Sequence, residues 1–229
     1  MLLLGLDTAT PAVTVALHDG GQPLAQLVTV DAHRHAELLA PAIAKVIADA
    51  GAERGDLTGI AVGVGPGPYT GLRIGIVTAK VLGAALGIPV YGVCSLDVIA
   101  ADVECDDDFL VATDARRREL YWARYDRTRR RVAGPAVSAP AAISDRELVA
   151  AGEGAMLYPC LLPNGRGPAY PAAATLCRMV SAALAAQTAT GDASGDAGRG
   201  AERALLPPEP LYLRRPDARE PGAPKRVSR

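Results

Sequence analysis

The sequence predicts an α/β fold of two lobes, in which a βββαβα unit occurs twice and the second copy is reduced. Three observations predict it. The apolar runs of the first hundred residues come in the order strand, strand, strand, helix, strand, helix, strand; the order returns more weakly from Phe109; and each half ends its first strand with an aspartate, in Leu6-Asp7-Thr8 and in Thr113-Asp114-Ala115.

In the first half, Leu2–Leu6 and Val13–Leu17 are strand-like runs, and Leu24–Val30 follows the turn Asp19-Gly20-Gly21, whose glycines supply the backbone a hairpin needs. Asp31 then reads as the N-cap of a helix from Ala32 to about Ala50. Its Leu38, Leu39, Ile43, Val46 and Ile47 recur at helical spacing, Pro41 kinks it and Gly51 stops it. A short buried strand, Ile60–Val64, leads through a loop rich in glycine and proline into a helix over about Thr70–Leu86, and Pro89–Val93 is the next strand. In the second half, Phe109–Thr113, Glu119–Tyr125 and Val132–Ser138 read as strands, Asp145–Ala151 as a helix, Ala155–Tyr158 as a strand and Ala172–Ala186 as a helix. The domain reading is a first lobe over 1–104, a second, smaller lobe over 105–215 that includes a flexible stretch at 187–203, and a disordered tail at 216–229. Pro210–Arg215 is apolar and aromatic enough to dock on the body.

Composition narrows the functions. With 229 residues, 49% of them hydrophobic, the chain can bury real cores, and 24 Lys+Arg against 25 Asp+Glu leave no bulk field that draws the whole protein to nucleic acid or an anionic membrane. Cys94, Cys105, Cys160 and Cys177 form no C-x-x-C pair, which fits reduced thiols and a cytoplasmic location. The apolar start Met1–Leu6 has no basic flank and meets Asp7 at once, unlike a signal peptide. The uncharged stretch from Val81 to Leu96 is interrupted by Pro89 and falls short of a membrane span, so no membrane is expected.

Chemistry picks out the candidate sites. The loop from Gly63 to Gly71 precedes a helix N-terminus, a position that favours anions, but Pro66 and Pro68 have no N–H and no Walker lysine follows. It reads as a rigid, shape-defining loop. Along the next helix Gly71, Gly75, Ala79 and Gly83 recur every four residues, a seam of small side chains that lets another backbone approach. The helix is apolar nearly all round, so both sides are covered, one by its own sheet. Gly71, Leu72, Gly75, Ile76, Ala79 and Gly83 are therefore assigned to a partner interface, with an internal neighbour as the alternative. His33 and His35 are two apart, and on a helix such a pair diverges, so no metal site is assigned. There is no G-x-S-x-G elbow and no triad, so no catalytic residue is assigned. Asp7, Thr8 and Asp114 are candidates to line a cleft between the lobes, where a nucleotide with magnesium is one reading and a capped strand-to-turn corner the other. Arg116, Arg117 and Arg118, followed by further arginines interleaved with Tyr121, Trp122 and Tyr125, suit either an RNA-facing hairpin or a solvated strand face.

Leu6-Asp7-Thr8-Ala9-Thr10, Gly65-Pro66-Gly67-Pro68-Tyr69-Thr70-Gly71-Leu72-Arg73-Ile74-Gly75 and Pro210-Leu211-Tyr212-Leu213-Arg214 together resemble the TsaB family, also called YeaZ, and the glycine-loop motif is the specific part. The likeness covers roughly the first 125 residues, thins in the second lobe and returns at Tyr212. It implies the actin-like (ASKHA, ribonuclease H-like) fold. It also implies an accessory, non-catalytic scaffold in the complex that transfers threonylcarbamoyl to N6 of adenosine 37 in tRNAs reading ANN codons. The implied partners are a TsaD-like subunit that bears the metal and transferase site, a TsaE-like ATPase, tRNA through the complex, and a second copy when the chain is alone. By the same resemblance this chain needs no cofactor, ATP and magnesium sit on the partners, and the first-lobe helices form the dimer surface. The rival readings are an ATP-binding enzyme of the same superfamily and a glycoprotease-like metallopeptidase.

Overall fold

The computed structural model describes residues 1–190 and 205–214. The first lobe is a five-stranded sheet of β1 (Leu3–Asp7), β2 (Ala12–His18), β3 (Pro23–Val30), β4 (Gly59–Gly63) and β5 (Val90–Val93), in the order β3-β2-β1-β4-β5. β1, β2 and β3 pair antiparallel, and β4 and β5 add parallel to β1. The second sheet consists of β6 (Phe109–Asp114), β7 (Leu120–Tyr125), β8 (Arg131–Ser138), β9 (Val149–Ala151) and β10 (Gly165–Arg166). Its order, β10-β9-β6-β7-β8, is the same topology traversed from the other edge, and its antiparallel and parallel pairings match those of the first sheet strand for strand. The duplication is therefore real. The reduction lies in the connections: the helices α1 (His35–Asp49) and α2 (Tyr69–Leu86) of the first lobe correspond to a 3-10 turn at Pro140–Ala142 and the five-residue α4 (Glu153–Leu157) in the second.

β1 and β2 are buried at every residue, which is why both read as mostly apolar runs rather than alternating ones. Leu4 and Leu6 face α1 and α2, in a core with Leu39, Val46 and Ile76. Leu3 faces the other way, with Leu176, Cys177 and Val180 of α5 (Ala173–Thr190). A Cβ on Gly5 would lie 2.5 Å from the Ala173 carbonyl oxygen and from Cys177 Sγ, so glycine here is what lets α5 rest on the central strand. By sequence order α5 falls in the second lobe; in space it covers the back of the first sheet. Between the sheets lies α3 (Ser95–Ala101), whose Leu96 and Ile99 pack with Phe109, Val111 and Tyr125.

Two second-lobe expectations are corrected. Asp145–Ala151 is not a helix: its last three residues form β9, paired with Phe109–Val111, because a slot in the sheet outweighs the helix propensity of Leu148 and the alanines. Conversely Ala155–Tyr158 is not a strand but lies mostly in α4. α1 starts at His35 rather than Ala32, since Asp31 folds its carboxylate onto the N–H groups of His33 and Arg34 and forms a turn ahead of the helix. α5 runs four residues past Ala186; the rest of the expected flexible stretch, from 191 to 203, and the tail at 216–229 lie outside the described residues. Among the described residues, α2 is the one helix whose length and mean hydropathy would suit a membrane, yet its seam is locked onto the sheet, the arrangement of a core helix.

Candidate functional site

The chemistry of the first lobe converges on the corner that ends β1. Asp7 is fully buried; its Oδ2 accepts the Ser95 hydroxyl at 2.6 Å and its Oδ1 accepts the Ala9 N–H at 2.7 Å. Burial pushes the carboxyl up to about 6, and the bonds from Ser95 and Ala9 offset part of that rise. Ser95 in turn accepts the Gly65 N–H at 3.1 Å and donates its own N–H to the Gly65 carbonyl at 2.8 Å, so the glycine loop is fastened to α3 and, through Ser95, to Asp7.

Thr8 performs a different task. Its hydroxyl donates to the Gly71 carbonyl at 2.7 Å and accepts the Gly75 N–H at 3.0 Å, bridging two groups that in an undisturbed helix bond to each other. A Cβ on Gly71 would stand 2.6 Å from the Thr8 carbonyl oxygen, and one on Gly75 would collide with the Thr8 hydroxyl. Further along, a Cβ on Gly83 would collide with Val90 of β5. The seam is thus filled by the chain's own first sheet, and Gly71, Leu72, Gly75, Ile76, Ala79 and Gly83 are all buried. This corrects the partner-interface assignment: a backbone does come close, but it belongs to the same chain. A partner reaches instead the exposed residues of α2, among them the opposite stripe Tyr69, Arg73, Val77 and Val81, spaced by four. Val77 and Val81 are 55% and 61% exposed and flank a groove of about 880 Å³ between α1 and α2, lined also by Ile43, Ile47, Leu82 and Arg54.

Between the lobes lies a pocket of about 220 Å³, with Thr8, Thr10, His33, Thr70, Asp114 and Arg116 among its lining residues. Of the expected cleft residues it takes Thr8 and Asp114 but not Asp7, which is sealed beneath Ser95. Asp114 accepts the Arg116 N–H at 2.8 Å, and the Arg116 guanidinium lies 3.5 Å from its carboxylate. Arg116, Arg117 and Arg118 occupy three successive left-handed conformations (φ 60°, 56° and 61°) in the β6–β7 turn, all with exposed side chains. Farther along, arginines are engaged in the fold: Arg124 pairs with Asp108 and Asp145, and Arg131 with Asp97. Glu153, at the start of α4, is buried, and burial lifts its carboxyl to about 7 against hydrogen bonding from the Asp114 N–H.

Three features have no signal in the sequence that could have found them. The partners of Thr8 lie 63 and 67 residues away, and Ser95 lies 88 residues from Asp7, so no local pattern marks them. α3 has only seven residues, too short for a periodic pattern to read.

A family model described as TsaD, tRNA N6-adenosine threonylcarbamoyltransferase, matches residues 28–161, more than half of the chain. The chain belongs to this family, on its TsaB (YeaZ) branch. An uncharacterized protein of Mycobacterium tuberculosis is 44% identical over 225 residues, 95% of this chain and 93% of the relative. The tRNA threonylcarbamoyladenosine biosynthesis protein TsaB of Escherichia coli is 35% identical over 136 residues, 56% of each chain. Among solved structures, YeaZ from Pseudomonas aeruginosa superposes with a TM-score of 0.68 at 30% identity, covering 82% of this chain and 93% of that one.

His33 and His35 do not come together as a pair that could share one metal ion. His33 precedes α1 and is exposed, while His35 is buried with Nε2 2.8 Å from the Thr10 carbonyl oxygen. Among the described residues no group of three or more His, Cys, Asp or Glu could hold a metal ion. The histidines diverge because only His35 is helical, and not because both lie on one helix as their spacing suggests.

Proposed function

We propose that this chain is a non-catalytic scaffold subunit in tRNA threonylcarbamoyladenosine biosynthesis, which docks a TsaD-like subunit on the α1–α2 face of its first lobe. Membership of the TsaB branch supports the pathway. The observation that carries the docking role is the exposed apolar stripe of α2: a core helix that leaves Val77 and Val81 in solvent beside a groove lined by Ile43 and Ile47 has an unpartnered face. The transferase chemistry on N6 of adenosine 37, the metal and the ATP belong to the TsaD-like and TsaE-like subunits, and a second copy of this chain uses the same face when no partner is present. Arg116, Arg117 and Arg118 meet tRNA through the assembled complex. The rival of an ATP site built on Asp7 and Asp114 has less support, because Asp7 is sealed from a pocket that is itself smaller than usual ligand sites.

The test replaces Val77 or Val81 with aspartate and measures binding to the TsaD-like subunit by calorimetry. A charge forced into an apolar contact weakens binding at least ~100-fold while circular dichroism stays unchanged. Unchanged affinity in both variants would remove the α1–α2 face as the docking site.

A further inference from the structure

Past α5 the chain returns as an extended segment, 205–214, that fastens to both lobes. Leu206 exchanges backbone hydrogen bonds with Gly92 of β5 at 2.8 and 2.9 Å, and the Leu211 N–H donates to the Val64 carbonyl at 2.9 Å. The Tyr212 ring lies on Tyr69 with centroids 5.2 Å apart, and its hydroxyl accepts from Arg73 Nε at 3.0 Å. The Arg73 guanidinium stands 4.2 Å from the Tyr69 ring centre. These anchors belong to the first lobe. At the other end Arg214 donates to the Ala115 carbonyl at 3.1 Å and pairs with Glu119. Ala115 and Glu119 close the β6–β7 turn, which presents Asp114 and Arg116 to the interlobe pocket. The side chains of Leu206 and Leu211 pack against the main core of the first lobe and against the core that α3 shares with the second sheet.

We propose that residues 205–214 are an interlobe brace that sets the geometry of the cleft, and that a partner covering the outward stripe of α2 tightens it. The second half rests on the docking reading above. Tyr69 and Arg73, which hold Tyr212, are the first two members of the stripe that continues in Val77 and Val81. A TsaD-like subunit seated on the valines excludes water from the neighbouring Arg73–Tyr69–Tyr212 cluster. Desolvation strengthens a cation–aromatic contact, and the effect passes along the segment to Arg214 and the turn. By reciprocity, a closed cleft favours the docked partner.

Hydrogen exchange on the full chain, read by mass spectrometry, tests the brace. Arg214→Ala, which removes the bond to the Ala115 carbonyl and the pair with Glu119, speeds exchange of the Ala115 and Glu119 amides at least about tenfold. Tyr212→Ala, which removes the first-lobe anchor two residues before Arg214, produces the same acceleration, while amides of β2 are unchanged in both. If Tyr212→Ala leaves the turn at the wild-type rate, the segment transmits nothing and the brace is wrong. Adding the TsaD-like subunit slows exchange at the turn in the wild type and not in Tyr212→Ala. Binding without that slowing overturns the linkage alone. No binding to the wild type overturns the docking reading and the linkage with it, and leaves the brace to be judged by the variants.

Discussion

Asp7→Asn is the most informative single substitution, because it alters charge at a fully buried site without altering shape. The Asp7 carboxyl is raised from 3.8 to about 6 in the folded protein. Between those values the native state keeps a proton that the unfolded chain has released, so stability falls as pH rises through this window and is level above it. A tenfold change in proton affinity is worth about 1.4 kcal/mol, so the whole loss is about 3 kcal/mol, of which roughly 2–3 falls between pH 4 and pH 8. Asparagine keeps an acceptor for the Ala9 N–H but turns a donor toward Ser95, whose oxygen already accepts the Gly65 N–H. The stranded hydroxyl proton costs on the order of 1 kcal/mol at every pH. Urea unfolding of both proteins across pH 4 to 8 separates the two effects: titrations elsewhere cancel in the difference, which shifts in favour of the variant as pH rises. A difference that does not vary with pH would refute the assignment of a strained, ionisable carboxyl at this corner.

Other outcomes follow from the same network. Thr8→Val removes the hydroxyl that joins Gly71 to Gly75 and costs about 1–3 kcal/mol by urea unfolding, whereas Thr8→Ser stays near wild type. Gly75→Leu collides with Thr8 and Leu6, so it yields insoluble or unfolded chain rather than a folded monomer that has lost its partner, as centrifugation and circular dichroism will distinguish. Glu153→Gln removes a carboxyl lifted from 4.5 to about 7; the wild type therefore loses stability relative to the variant as pH rises from 4.5 to 7, and the gap is constant beyond. Cys94 and Cys177 are buried and pushed up to about 12, so iodoacetamide at pH 8 labels the exposed Cys160 while these two stay unmodified in the native protein.

The first sheet was legible because its chemistry is local. β1 and β2 are mostly apolar and buried throughout, the turn at Asp19-Gly20-Gly21 sets the hairpin between β2 and β3, and α2 begins just past Pro68 and ends at Gly87 in a left-handed conformation. The second lobe was harder to read because its pieces are short: three residues of Val-Ala-Ala carry no period, and only the slot beside Phe109–Val111 decides that they are a strand. The seam of α2 shows the limit most clearly. Spacing reveals that a backbone must come near, but an approach by Thr8 and Val90 of the same chain leaves the same pattern of small residues as an approach by another subunit. What tells them apart is that Thr8 and Val90 stand against the seam glycines, a placement set by the folded sheet and written in no local pattern.

Because the Thr8 hydroxyl takes a rung in the ladder of α2, that helix is not an independent cylinder resting on a sheet. It cannot slide or roll along the strands without giving up two hydrogen bonds in a dry interior. The direction in which Tyr69, Arg73, Val77 and Val81 point is consequently inherited from β1, and an incoming molecule meets a surface whose aim was fixed when the central strand folded.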